Sequence, residues 1–308
     1  MSALSIEDLG RCLLDLSQPI AKRTHCAFHL RTEASKTATQ YIVRALQQRT
    51  DTPLMRHELA YILGQIQDSS VIPVLCEILR DEDDDVLVRH ESAEALGNLG
   101  DETTLEILEQ FSTHAAHEIS ETCLIAKDLI IWKLKQKDIE SSAEGSAAAK
   151  GEVKKSIYLS VDPAPPIPEI KSVPELVATL MDTSRSLFHR YRAMFSLRDL
   201  NSDESAIALL AGFKDSSALF RHEVAYVLGQ MQRLVTVDGL SEVLMNESEH
   251  RMVRHEAAEA LGAIGGEKAE KLLSQYEHDG EEVVNQSCQV ALDTMDYWSS
   301  EFIGSEGK

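Results

Sequence analysis

The segment RHELAYILGQ (residues 56–65) recurs three times along the chain, as VRHESAEALGNLG (88–100), RHEVAYVLGQ (221–230) and VRHEAAEALGAIG (253–265). Each copy keeps the frame H-E-x-A-x-x-L-G. The spacing from His57 to His90 equals the spacing from His222 to His255, so the second pair of copies repeats the first at one constant offset. Because the alanine and the leucine are three positions apart, they share one face of a helix. The frame therefore predicts a repeated amphipathic helix, and its period of about 33 residues is typical of repeat architectures.

Second amphipathic segments lie between the copies, such as VIPVLCEILRD (71–81) and LSEVLM (240–245). Two helices alone cannot bury their apolar faces, so successive helical hairpins must stack on each other. Alternating runs of β-branched residues are scarce, which disfavours strands. We therefore predict an all-α superhelix of about eight hairpins, about four over residues 5–135 and about four over 173–300. The constant offset between the two pairs of copies predicts two halves related by a pseudo-twofold arrangement.

The interval 138–172 breaks the repeat. It contains the low-complexity run SSAEGSAAAKGE, followed by VDPAPPIPEI with its four prolines. Such compositions are typical of linkers and exclude a continuous helix. We predict an N-terminal repeat half at 1–137, a flexible, proline-rich linker at 138–172 and a C-terminal repeat half at 173–308.

The charge balance limits the partners. The 308 residues include 51 acidic and 30 basic side chains, giving a net charge of −21. This balance argues against nucleic acid, whose phosphates attract lysine and arginine, and suits a basic protein surface or a polyamine-like ligand. Five cysteines without a CxxC pair suggest reduced thiols. With no apolar run of about 18 residues and no signal peptide, we expect a cytoplasmic protein with no membrane partner.

The four histidines and four glutamates of the frame are candidate metal ligands. Equivalent helices in a stacked repeat lie roughly 8–10 Å apart, so the histidines of neighbouring copies project side by side. Two histidines and one carboxylate form the facial set associated with non-haem ferrous iron and dioxygen. Two such sets, facing each other across the pseudo-twofold, would hold two metals. The predicted metal residues are His57, Glu58, His90 and Glu91 in one half, and His222, Glu223, His255 and Glu256 in the other.

Two alternatives compete with this prediction. The pairs could be repeat consensus kept by duplication, or they could bind zinc, although structural zinc favours cysteine-rich sets. One further period leads to Cys123 and Cys288, and the alanine of the frame is kept there as Ala126 and Ala291. We expect these cysteines to be small buried residues. The fold therefore does not require histidine at this position, which favours a metal role for the four that remain.

Two further motifs are weaker. His117-Glu118 is out of frame, and we expect it to be surface. Glu247-x-x-His250 has a spacing used by di-iron bundles, but it occurs once, in an acidic turn, and is expected to be chance. Phosphate-binding loops and nucleophile elbows are absent from the sequence.

The paired motifs, together with a variable interval ending near YLSVDPAPP (158–166), closely resemble the deoxyhypusine hydroxylase family over residues 20–297. The resemblance implies HEAT-like repeats in two halves and a di-iron centre. It also implies a monooxygenase that uses dioxygen and an external reductant, which the sequence does not identify. Its protein partner would be the translation factor that carries deoxyhypusine, whose side chain is hydroxylated to hypusine. By motif, His57, His90 and an adjacent glutamate would bind one iron, and His222, His255 and an adjacent glutamate the other.

Within this set we expect Glu91 and Glu256 to bind iron, because the residue one turn after each paired histidine is also acidic. Glu58 and Glu223 would then meet the cationic amines of the substrate. The acidic residues one turn on, Glu94 and Glu259, would accept the second imidazole N–H or extend the substrate path. Two other functions stay open at this point. One is a non-catalytic repeat scaffold for a basic protein, and the other is a phycobilin-lyase-like protein.

Overall fold

A computed structural model describes residues 4–143, 156–169 and 172–305. These residues form helices and connecting loops, with no strand among them. The N-terminal half holds four hairpins: α1 (Ile6–Leu14) with α2 (Ile20–Glu33), α3 (Lys36–Leu46) with α4 (Pro53–Ile66), α5 (Ile72–Arg80) with α6 (Val86–Leu99), and α7 (Leu105–Phe111) with α8 (His117–Ala143).

The C-terminal half repeats this order with α9 (Val173–Leu180) and α10 (Leu187–Leu200), α11 (Asp203–Leu209) and α12 (Ala218–Met231), α13 (Val237–Met245) and α14 (Arg251–Ile264), and α15 (Glu267–Tyr276) and α16 (Glu282–Ser305). Short 3-10 helices lie at Ser69–Val71, Glu102–Thr104, Leu210–Lys214 and Leu234–Thr236. The predicted all-α fold of about eight stacked hairpins is confirmed.

The four helices that carry the repeated frame begin and end on local sequence signals. The side chain of Thr52 accepts a hydrogen bond from the Met55 N–H at the start of α4, and Pro53 occupies the first turn. Asp85 caps α6 in the same way. Such side chains satisfy N–H groups that have no partner inside the helix. Helix α6 ends where Gly100 takes a left-handed conformation with φ +70°.

The alanine–leucine stripe of the frame lies in the core, where α4 packs against α6 and α12 against α14. Ala60, Leu63 and their counterparts in the other copies are fully or almost fully buried. The glycine that follows allows the next helix to approach closely: a Cβ added at Gly64 would lie 3.0 Å from the Ala95 Cα, and one at Gly97 would lie 2.6 Å from the Ala126 Cβ. A side chain at these positions would therefore push the neighbouring helix away.

A buried arginine precedes the histidine in three of the four copies and joins each hairpin internally. Its Nε donates to the backbone carbonyl of the leucine ten residues earlier, at the end of the preceding helix. In α4, Arg56 donates to the Leu46 carbonyl at 2.9 Å and to both carboxylate oxygens of Asp84. The same Nε contact occurs at Arg23 and Arg190, outside the His-Glu copies. The arginine therefore belongs to the fold, a role that the sequence pattern did not reveal.

The two halves meet along the inner helices and at the chain's two ends. At one side, the Ser217 hydroxyl donates to Glu121 at 2.6 Å, and Arg251 pairs with Asp85. At the other side α2 packs against α16. These contacts close the two rows of inner helices around a common interior.

The interval predicted as a flexible linker differs from that expectation in two places. Helix α8 continues to Ala143, past the boundary predicted at 137. Residues 156–169 lack helix but are packed: Ala164 is fully buried, and Gln65 bonds to both the N–H and the carbonyl of Val161. Residues 144–152 of the low-complexity run lie outside the described residues. The division at 1–137, 138–172 and 173–308 stays a prediction.

Candidate metal centre

All four His-Glu pairs come together in the interior between the two halves. Helices α4, α6, α12 and α14 each contribute one pair, and none of the eight residues is more than 8% exposed. The packing of α4 against α6 and of α12 against α14 brings the helices of each half together, and the closure of the two rows brings the second half opposite. Side chains that are far apart in the sequence therefore share one buried site.

The imidazole rings form one compact cluster. Within each half the ring centroids lie 5.4 Å apart for His57 and His90 and 5.3 Å apart for His222 and His255. Across the halves the distances are just as short, with 5.2 Å between His57 and His255 and 5.6 Å between His90 and His222. The sequence predicted one histidine pair in each half. The structure places all four rings together.

Two groups of side chains have donor atoms within 4.8 Å of one another, close enough to hold an ion: His57, His90 and His222 form one, and His222, His255 and Glu256 form the other. The groups share His222 and together use side chains from both halves. The first group takes its third member from the opposite half, rather than an adjacent glutamate of its own half.

Most of the imidazole nitrogens lack hydrogen-bond partners among the described residues. This is true of both ring nitrogens of His90 and His222, and of Nε2 of His57 and His255. Leaving a buried polar atom unpaired costs about 1–3 kcal/mol. Two of the six, Nε2 of His57 and of His222, each face a carboxylate oxygen 3.3 Å away without a hydrogen bond of normal geometry. The set is unfavourable for the fold alone, and it suits metal ions, which neutral imidazoles bind through these atoms.

The glutamates divide into two geometries. In each half, the glutamate of the second copy reaches the histidine of the first: Glu91 Oε2 lies 3.3 Å from His57 Nε2, and Glu256 Oε2 lies 3.3 Å from His222 Nε2. Glu58 instead contacts His57 Nδ1 on its own helix, at 3.2 Å. Oε1 of Glu223 has no hydrogen-bond partner among the described residues.

The pKa values of the histidines in the cluster are shifted by burial and by the charges of the neighbouring side chains. Burial lowers the pKa of His57, but the adjacent carboxylates of Glu58 and Glu91 outweigh it, so that the pKa lies well above its usual value. Burial and the positive charge of His57 lower the pKa of His90 and of His255. A site with this arrangement holds negative charge in a low dielectric, and bound cations relieve it.

A cavity of about 780 Å³ opens onto the cluster. Its walls include six carboxylates: Glu58, Glu91, Glu94, Glu223, Glu256 and Glu259. Helices α2 and α16 form its outer wall with residues such as Phe28 and Thr294, so the cavity lies at the junction of the two halves. The cavity can accept a long, positively charged arm.

Glu94 and Glu259 lie at this cavity but have different contacts. Glu259 lies 3.4 Å from His255 Nδ1 and accepts a hydrogen bond from Ser287 at 3.1 Å. No such contact is seen for Glu94 within the described residues. Burial raises the pKa of both carboxyls, as do the charges of the neighbouring glutamates. Burial likewise raises the pKa of Glu223, with Glu256 as the next largest cause.

A pair of tyrosines also lies on the cavity wall, and the sequence pattern suggested no role for it. The hydroxyls of Tyr61 and Tyr226 are 2.9 Å apart and hydrogen-bonded across the two halves. In the sequence, the pair is visible only as a tyrosine one helical turn after the first histidine of each half. Its significance depends on the closure of the halves.

The remaining sequence candidates lie away from the cluster. Cys123 and Cys288 are fully buried, as expected, and burial raises the pKa of each thiol to about 12. His117 and Glu247 are exposed. Glu118 and His250 lie 3.2 Å apart and join the two halves.

Comparisons with known proteins decide the family. A model of HEAT repeats matches residues 6–87, 43–124 and 208–293. Deoxyhypusine hydroxylase of Drosophila melanogaster is 42% identical over 308 residues, which cover 100% of this chain and 97% of that protein. The chain belongs to the deoxyhypusine hydroxylase family. The Bos taurus member is 46% identical over 292 residues, covering 95% of this chain and 91% of its own.

A solved structure of human deoxyhypusine hydroxylase in complex with glycerol has the same fold, with a TM-score of 0.86 at 43% identity over 95% of this chain and 96% of that one. The predicted deoxyhypusine hydroxylase family is confirmed, and so is the prediction of an enzyme. Family membership favours neither the scaffold nor the phycobilin-lyase alternative. Among the described residues, no helix is both long enough and apolar enough to cross a membrane.

Proposed function

We propose that this protein hydroxylates the deoxyhypusine side chain of the translation factor that carries it, using two iron ions, dioxygen and an external reductant. The observation that carries the proposal is the convergence of four buried histidines with unpaired ring nitrogens at a carboxylate-lined cavity, in a chain of this family. The donor set fits iron: imidazole and carboxylate are its usual ligands in dioxygen-using enzymes, and thiolates are absent from the cluster.

The histidines and two of the glutamates would hold the metal. His57, His90, His222 and His255 supply the ring nitrogens, and Glu91 and Glu256 supply carboxylates. The position of these two glutamates supports the assignment, because each already reaches a ring nitrogen of a neighbouring helix. When bound, the iron ions supply the oxidising power that hydroxylation of an unactivated carbon needs.

The remaining carboxylates would bind the substrate. The deoxyhypusine arm carries amines, and its ammonium groups can only donate hydrogen bonds. Glu58 and Glu223 lie at the cavity beside the histidines, where their carboxylate oxygens can accept these bonds, while Glu94 and Glu259 lie one turn further on. A carboxylate and an ammonium form a strong, charge-assisted hydrogen bond when both are partly buried. The raised pKa of Glu223 favours this role, since an arriving cation stabilises the charged form.

The overall reaction sets what the site must supply. One oxygen atom of dioxygen enters the C–H bond of the substrate, and the other leaves as water after accepting two electrons and two protons from the reductant. The burial of the four histidines and their glutamates limits access of bulk water to the metal-binding atoms, which protects such chemistry from side reactions. The protein's acidic surface, with its net charge of −21, suits a basic protein substrate.

The test is a single-turnover incubation of the iron-loaded protein with reductant, dioxygen and the factor bearing deoxyhypusine. We expect the mass of the factor to increase by one oxygen atom. The gain should be lost with His57→Ala and kept with His117→Ala, a matched histidine that lies outside the cluster on the surface. Iron-loaded protein that binds the factor but leaves its mass unchanged would contradict the proposal.

A further inference from the structure

The hydroxyls of Tyr61 and Tyr226 form one hydrogen bond with each other, and one of their two hydroxyl hydrogens is left over. Each tyrosine carries one O–H, and the contact at 2.9 Å consumes one of the two hydrogens. Among the hydrogen bonds of the described residues, none takes the other. Burial raises the pKa of both hydroxyls, so both hydrogens are present near neutral pH.

The neighbours of the pair add a donor and no acceptor. Gln230 Nε2 donates to the Tyr226 hydroxyl at 3.0 Å. The orientation of this amide is fixed, because Arg198 Nη1 donates to Gln230 Oε1 at 2.9 Å, which turns the NH₂ group toward Tyr226. Arg198 is itself fully buried and paired with Asp162 at 2.7 Å. The network therefore directs donors toward the tyrosines, and the spare hydrogen must find its acceptor elsewhere.

The cavity is the place where that acceptor can lie. Tyr61, Tyr226 and Gln230 all line it, and both tyrosines stand one helical turn after a histidine of the cluster. On a helix, residues four apart are neighbours about 5–6 Å apart at their Cβ atoms. The spare hydrogen is thus offered close to where the proposed reaction takes place.

The chemistry of the substrate selects one acceptor. The ammonium groups of the unreacted arm have hydrogens to donate and no lone pair to accept. Hydroxylation adds an oxygen, which is an acceptor. We propose that the Tyr61–Tyr226 pair donates its spare hydrogen to the oxygen atom newly placed on the substrate carbon, and thereby distinguishes the hydroxylated arm from the unreacted one. This inference rests on the proposed function.

The proposal assigns the tyrosines to the late part of the reaction. A donor that finds its acceptor only as the C–O bond forms stabilises the product side and the transition state, and leaves the binding of the substrate unchanged. Gln230 is a positioning residue in this arrangement, because it acts by keeping the Tyr226 oxygen an acceptor. Removal of the donor should lower kcat and leave KM unchanged.

Counting hydrogens gives the variants different expected outcomes. Tyr61→Phe or Tyr226→Phe leaves one hydroxyl with one spare hydrogen, as in the native pair. The double substitution leaves none. Gln230→Glu also leaves none, because its carboxylate accepts from Tyr226 and draws both hydroxyl hydrogens into the network. Tyr158→Phe is a matched control: its hydroxyl bonds to Asn201 and is not part of the cavity wall.

The experiment measures the affinity of the iron-loaded protein, without dioxygen, for the factor in its deoxyhypusine and hypusine forms by calorimetry. In the double variant we expect the affinity for the hypusine form to fall about tenfold, the size of one hydrogen bond, with the deoxyhypusine form unaffected. Gln230→Glu adds a carboxylate to the cavity wall and should change the affinity for both cationic forms alike, but the ratio of its two affinities should follow that of the double variant. Each single variant and Tyr158→Phe should change the ratio of the two affinities less than about threefold.

Equal losses for both forms, or no loss for either, would overturn the tyrosine proposal while leaving the proposed function standing. Failure of the native protein to bind either form would instead contradict the proposed function, and the tyrosine proposal with it. Unchanged affinity for the deoxyhypusine form also shows that the double variant is folded.

Discussion

Substitution of Arg56 tests how much the buried arginines stabilise the packing of the hairpins. We consider Arg56→Ala. Arg56 is 3% exposed, donates to the Leu46 carbonyl at 2.9 Å and holds Asp84 through two hydrogen bonds, one of them 2.7 Å long. Removing it leaves the buried Asp84 carboxylate with only the exposed Arg49 as a counter-charge, and leaves a helix-end carbonyl without a donor. Breaking a buried ion pair in this way costs about 3–5 kcal/mol.

The same carboxylate provides the control. Arg49 lies 3.4 Å from Asp84 and also pairs with Asp81, but its side chain is 44% exposed. Exposed pairs contribute about 0–1 kcal/mol, because water screens the charges. Arg49→Ala should therefore cost at most about 1 kcal/mol. The two variants remove the same charge from the same acidic partner and differ mainly in burial.

The assay is urea unfolding of the metal-free protein, followed by circular dichroism, with the slope against denaturant compared between variants. A free energy of unfolding for Arg56→Ala within about 1 kcal/mol of that of Arg49→Ala would refute the reasoning. The pH dependence gives a second check. Burial raises the pKa of Asp84, but Arg56 outweighs it, and the pKa is lowered. The pair's contribution is therefore complete above the unfolded pKa of about 3.9 and is lost as the pH falls through the folded value.

Two further predictions concern the metal site, and a third concerns the packing of the helices that carry it. Glu91→Ala should lose bound iron, measured by metal analysis, whereas Glu58→Ala should keep its iron and show a raised KM; iron loss in Glu58→Ala would reverse the assignment. Gly64→Ala forces a Cβ to 3.0 Å from Ala95 and should destabilise the protein by about 1–3 kcal/mol in the same unfolding assay; an unchanged midpoint would contradict this. Removing iron by chelation should lower the melting temperature of the native protein, and should lower it less in His57→Ala, which keeps the group of His222, His255 and Glu256 but loses the other donor group.

Local sequence predicted the helices and the pairing of neighbouring copies well, because both depend on short-range spacing. The Ala/Leu stripe buries one face of each helix, the glycine after it lets α4 approach α6 closely, and this places His57 beside His90. The contacts across the halves could not be predicted in this way. The short distance from His57 to His255 follows from the closure of the two rows, which depends on α2 meeting α16 and on the packed segment near Val161.

The buried arginines show a second limit. The sequence alone shows that Arg56 precedes His57 and that an acid, Asp84, follows in the next hairpin. Its role depends on the tertiary structure. The end of α3 at Leu46 lies beside the start of α4, so the Arg56 guanidinium bonds to Leu46 in its own hairpin and to Asp84 in the next one. Adjacent residues therefore have different roles: Arg56 stabilises the packing of the hairpins, and His57 belongs to the candidate metal centre.

The substitution of cysteine in the outer copies connects stability with function. Cys123 and Cys288 occupy the frame position of the histidines, are fully buried and leave no imidazole nitrogen unpaired. The inner copies instead keep six such nitrogens without partners among the described residues, and several carboxylates whose burial raises their pKa. Because the fold accepts cysteine at this position, it could avoid the free-energy cost of burying an unpaired imidazole. Retention of four histidines at the point where the two halves meet is therefore best explained by a ligand that satisfies them, and metal ions at a cavity suited to a cationic arm meet that requirement.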